Sequence, residues 1–76
     1  MTQDEFIKDF AFSLKTMLRI YDISQAKLAK LTNIDKGTIS RYCKGEIMPT
    51  LKNVLNIAAV IGCELDELVT THEFIY

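Results

Sequence analysis

The residues with most chemistry to offer sit in one short run, Lys36, Gly37, Thr38, Ser40, Arg41 and Lys44. Wound as a helix at about 100° per residue, Lys36, Gly37, Ser40, Arg41 and Lys44 fall within about 140° on one face. Ile39 and Tyr42 lie opposite, with Thr38 and Cys43 at the flanks. The face carries three cations and two residues of little or no bulk. Its chemistry is non-covalent, since charged donors attract anions and acceptor-rich edges but break no bonds. Taken alone, such a face is a solvated surface. Catalytic chemistry has no foothold elsewhere in the chain. One histidine (His72), two cysteines and no glycine-rich phosphate loop give no nucleophile–base pair and no metal cluster. Cys43 and Cys63 are far apart and outside any CxxC pair, so they read as two half-buried free thiols rather than a disulfide or a metal site. No cofactor is implied, and Asp66 and Glu67 read as first-turn helix charges.

The elements that would position this face are written in the stretch Ser24–Leu55. Ser24 is a good N-cap, because its hydroxyl can accept from an unsatisfied amide of the first turn. Leu28, Ala29 and Leu31 then give a helix an apolar stripe. Asn33 tolerates the left-handed conformation and can end that helix sharply. Asp35 caps the next helix, with Ile39, Tyr42 and Cys43 as its apolar positions, and Gly45 is placed to end it. Thr50, after Pro49, caps another. Two short helices, a tight turn and a cap at each start form a helix-turn-helix pattern. The second helix of that pattern is the one that lies in a DNA major groove.

The stretch resembles the helix-turn-helix of the lambda-repressor and Cro type, also called the xenobiotic-response-element family. The matching residues are Ser24-Gln25-Ala26, Leu28-Ala29, Thr32-Asn33-Ile34, Thr38-Ile39-Ser40-Arg41-Tyr42, Gly45, Pro49, Leu51 and Val54. They continue through Ile57-Ala58, Ile61-Gly62 and Leu65-Asp66-Glu67-Leu68. The resemblance spans Ile23 to Val69, and the amphipathic segment before it fits the family's first helix. It implies duplex DNA as partner, with the family's base-reading positions falling on Lys36, Gly37, Thr38, Arg41 and Lys44. It also implies that Gln25 bonds a phosphate and braces the first polar side chain of the recognition helix. Where the family often has Gln or Ser, this chain has Lys36 and Gly37. Gln pairs bidentately with adenine, whereas Lys and Arg favour guanine O6 and N7. Base readout is therefore expected from Lys36 and Arg41, with the Thr38 methyl against a thymine. Gly37 offers no side chain and costs a helix about 1 kcal/mol relative to Ala, but lets the backbone approach the groove. Ser24, Gln25, Lys27, Ser40 and Lys44 are expected at phosphates.

Thr2 and Glu5 have the spacing of a capping box. The helix they open places Phe6, Ile7, Phe10, Leu14, Met17, Leu18 and Tyr21 on one face, which should pack under the helix-turn-helix. Phe12 falls on the other side, among Lys8, Lys15 and Arg19. It is either a singly exposed apolar residue, which is common, or a contact for a second subunit. Further on, Leu51, Val54, Leu55, Ala58 and Ile61 form the buried face of the next helix, ending at Gly62. Leu65 and Leu68 mark a last short helix, although Glu64 stands where the family usually has a Ser or Thr cap. The tail departs from the family's common end. Its terminal Phe74, Ile75 and Tyr76 either pack back or join a dimer interface, and the lone His72 reads as a surface residue.

The expected architecture is all-α, a compact bundle of about five helices, with one domain over residues 1–69 and a tail over 70–76. Seventy-six residues leave no room for a second core. No apolar run reaches membrane-spanning length and no signal pattern opens the chain, so a cytoplasmic protein is expected. The net charge of −1 looks wrong for DNA, but its distribution does not. From Ser24 to Lys52 the charges Lys27, Lys30, Lys36, Arg41, Lys44 and Lys52 against Asp35 and Glu46 give +4. Before that stretch the balance is −1, and after it −4, so the acidic ends should face away from DNA. The expected function is sequence-specific duplex binding by a homodimeric transcription regulator, a small repressor. The alternative is a protein-interaction module of the antitoxin or inhibitor kind, binding a partner through Phe12 or the tail.

Overall fold

The computed structural model describes residues 2–63. Four helices make up the described residues: α1 (Gln3–Ile20), α2 (Gln25–Thr32), α3 (Lys36–Lys44) and α4 (Leu51–Ile61). The count of about five is thus four here. The fifth helix expected around Leu65 and Leu68 lies outside the described residues, as do the tail, His72 and the Phe74-Ile75-Tyr76 end.

Each helix starts where a short oxygen-bearing side chain can reach a free amide. The Thr2 hydroxyl accepts from the Glu5 amide at 3.1 Å and donates to the Glu5 carboxylate at 3.2 Å. Ser24 accepts from Lys27 N at 3.0 Å, Asp35 from Thr38 N at 3.3 Å, and Thr50 from Asn53 N at 3.1 Å. Such caps are worth about 1 kcal/mol each. The ends use left-handed residues. Asn33 and Gly45 stop α2 and α3 at φ 60° and 70°, as their types suggest. One such residue went unforeseen. Asp22, at φ 56°, closes α1, with the Ile23 amide donating to the Leu18 carbonyl at 2.9 Å.

α1 packs on α3, while α2 packs on both α3 and α4. Phe10, Leu14, Leu28, Ile39 and Ile57 are the largest fully buried side chains, at least one from every helix. Each contributes about 1.5–3 kcal/mol through removal of apolar surface from water. The Phe10 ring meets Tyr42 edge-on, with centroids 5.8 Å apart and planes at 83°, an arrangement that aromatic quadrupoles favour.

Three expectations about burial need correction. Tyr21 does not join the buried face of α1, because the helix ends at Ile20 and Tyr21 is exposed as its C-cap. Leu31 is half exposed, so the α2 stripe is Leu28, Ala29 and Thr32. In α4 the buried set is Val54, Ile57, Ala58 and Ile61, while Leu51 is 68% and Leu55 47% exposed. The stripe begins at Val54 and steps by three and four residues, which leaves Leu51 and Leu55 on its edge.

Candidate nucleic-acid interface

α3 shows the division that its sequence suggests. Ile39, Tyr42 and Cys43 are buried, and Lys36, Gly37, Arg41 and Lys44 are exposed. Thr38 and Ser40 are half-buried at the margins. Two features fix the pose. The Asp35 carboxylate holds the first turn through Thr38 N. At the other end the Gly45 amide donates to the Tyr42 carbonyl at 3.1 Å and the Glu46 amide to the Arg41 carbonyl at 3.0 Å. Gly37 has a local role besides any approach to a groove. A Cβ there would stand 2.9 Å from the Asp35 Oδ2, so glycine leaves the capping carboxylate its room.

Two polar links then lock α3 and the turn against α4. The Asn53 Nδ2 donates to the Tyr42 hydroxyl at 2.8 Å, and the Asn56 Nδ2 donates to the Thr32 carbonyl at 2.8 Å. Thr32 ties the turn from the other side, since its hydroxyl donates to the Leu28 carbonyl at 2.7 Å and accepts from Ile34 N at 3.2 Å. The positioning residues Asn53 and Asn56 were not among those singled out from sequence, and Thr32 was named only as part of the family resemblance. The partners of Asn53 and Asn56 lie on other helices, where no spacing rule reaches, whereas the Thr32 bonds are local to α2 and the turn.

At the start of α2, Ser24 and Lys27 are exposed and Gln25 is half-buried. The Ser24 oxygen is occupied as a cap, which leaves its proton to donate. Among the described residues no cation of α2 or α3 is drawn into an ion pair, so their charge is available to an external partner. Next to Ser24, an open groove of about 740 Å³ separates the end of α1 from the start of α2. Its lining includes Lys15, Arg19, Tyr21, Asp22, Gln25 and Lys27. Burial pushes the Cys43 thiol up from its ordinary pKa, and the nearby Lys15 charge partly opposes this. Cys43 is therefore a protonated core residue at neutral pH. Among the described residues no cluster of three or more His, Cys, Asp or Glu has metal-binding geometry, and no helix is long and apolar enough to cross a membrane. Phe12 is 61% exposed, as its place on α1 suggests.

The caps, the left-handed turn at Asn33 and the outward cationic face of α3 define a helix-turn-helix domain. The sequence profile of the helix-turn-helix family matches residues 14–68. The chain belongs to that family, in its lambda-repressor and Cro branch, whose members are DNA-binding regulatory domains. Comparisons with curated proteins and with solved structures returned no match.

Proposed function

We propose that this protein is a sequence-specific regulator of transcription, a small repressor, that lays α3 in the major groove of duplex DNA. The observation that carries the reading is the exposed set Lys36, Arg41 and Lys44 on the face of α3 opposite Ile39 and Tyr42, none of them in an ion pair among the described residues. Lys36 and Arg41 read guanine edges through O6 and N7, and Thr38 sets its methyl against a thymine. Gly37 lets the backbone come close. Ser24, Gln25, Lys27, Ser40 and Lys44 meet phosphates and fix the register. The domain spans residues 1–69, and residues 70–76 form a tail.

One copy reads few base pairs, and discrimination against a genome calls for two. The active species is a homodimer on half-sites about 34–36 Å apart, with Phe12, Phe74, Ile75 and Tyr76 as interface candidates. A second reading is favoured by the exposure of Phe12. In it the chain is an antitoxin-like or inhibitor-like module whose apolar surface binds a partner protein.

Selection of duplexes from a random pool at two salt concentrations tests the proposal. The expected result is a two-fold symmetric site with guanines in each half. Binding without enrichment that vanishes at the higher salt would reduce the interaction to charge attraction and leave the protein-partner reading.

A further inference from the structure

The groove between α1 and α2 holds charge that the helix-turn-helix itself does not explain. Lys15 and Arg19 enter it from α1 and Lys27 from α2, with only Asp22 to offset them. All three cations are exposed, and none forms an ion pair among the described residues. Three like charges around one concavity repel one another, and an anion seated between them removes that repulsion. The groove is too open to enclose a small molecule, whose sites bury most of the ligand surface. It is shaped instead for a group on the edge of something larger.

We propose that Lys15 and Arg19 join Lys27 in seating a backbone phosphate of the bound duplex, which brings α1 into the DNA footprint. This rests on the DNA-binding reading given above. Two placements support it. Gln25 and Lys27, at the start of α2, form the far wall of the same groove. Lys15 also lies near enough to Cys43 of α3 for its charge to act on the thiol, and Cys43 stands between Ser40 and Lys44 along that helix. Lys15 therefore stands on the part of α1 that packs near α3. The charge balance of −1 before Ser24 hides this, because Asp4, Glu5 and Asp9 belong to the same helix and do not line the groove.

The test measures duplex affinity of the full chain against salt, for the wild type and for the double variant Lys15→Gln/Arg19→Gln. Each lost phosphate contact lowers the slope of log K against log salt by about 0.9. The double variant should lose up to about 0.9 of that slope, and between 50 and 200 mM salt its fall in affinity should be about three- to fourfold smaller than the wild type's. Its base preference should not change. Single variants should each lose about half the effect, and the charge-retaining Lys15→Arg/Arg19→Lys pair should restore the slope. Lys8→Gln, on α1 but outside the groove, should leave the slope unchanged.

An unaltered slope in the double variant, with the wild type binding normally, overturns the phosphate seat alone. A wild type that binds no duplex overturns the DNA-binding reading and the seat together. Saturable binding of inorganic phosphate that the double variant loses, with no change in duplex slope, assigns the groove to a free anion and overturns the duplex as its occupant.

Discussion

Arg41 is exposed on one side of α3, while its neighbour Tyr42 is buried on the other. This separation makes Arg41 a clean probe, because truncating it opens no cavity and strands no buried partner. Arg41→Ala should leave the thermal midpoint close to that of the wild type. It should weaken binding to the selected duplex by about 1–3 kcal/mol, the usual worth of a bidentate guanine contact. The preference at one base pair should relax while the salt slope changes little, since a base reader is not a phosphate neutraliser. Equal affinity in the variant, measured by titration of labelled duplex, would remove Arg41 from the reading face. Gly37 cannot be probed so simply. A Cβ there crowds the Asp35 carboxylate, so Gly37→Ala exchanges a gain in helix propensity for a weakened cap.

At the level of elements, what could be read in advance was whatever depends on near neighbours. Ser24, Asp35 and Thr50 cap because the amide each one reaches is three residues away, and Asn33 and Gly45 end helices by their own conformational tolerance. The phase of α4 was harder. Leu51, Val54, Leu55, Ile57, Ala58, Val60 and Ile61 leave it apolar nearly all round, so periodicity alone did not separate the buried Ile57 from the exposed Leu55. The bonds from Asn53 and Asn56 depend on which helices meet, and Lys15 and Arg19 were masked by the acids of their own helix. Asp22 was missed for a different reason, since aspartate is a tolerated but not a preferred left-handed residue. That yields a prediction. Asp22→Gly relieves the cost of holding a side chain at φ 56°, partly offset by the greater freedom glycine has in the unfolded chain. Stability should rise by about 0.5 kcal/mol, checked by urea denaturation with an unchanged m value. A loss of stability would mean that the carboxylate makes up the difference elsewhere.

For the whole molecule, the proposed homodimer raises the question of which surface would bring two recognition helices onto one duplex. Phe12 stands on the outer side of α1, in line with the acidic Glu5 and Asp9. A lone exposed ring of that kind is common and buries little on its own. α4 offers more. Leu51 and Leu55 lie one helical turn apart and both face solvent. Leu55 and Leu31 each stand one residue before a partner in the bond from the Asn56 amide to the Thr32 carbonyl, which places their backbones near where α2 meets α4. A dimer closed through this region would fix its α3 helices through the Asn53 link to Tyr42 and the Asn56 link that holds the turn before α3. Sedimentation of the full chain should therefore give a dimer that Leu51→Ser/Leu55→Ser shifts toward monomer, whereas Phe12→Ser shifts it less. Both variants should keep their helical content, because neither side of the comparison touches the buried set. The monomeric variant should still bind one half-site but lose the affinity gained by joining two, which is commonly 100-fold or more, on the order of the avidity of linked sites. If Phe12→Ser dissociates the dimer and the leucine pair does not, the interface lies on α1. If deleting Phe74 to Tyr76 alone dissociates it, the tail holds the two copies together and the leucines of α4 are left as surface for another partner.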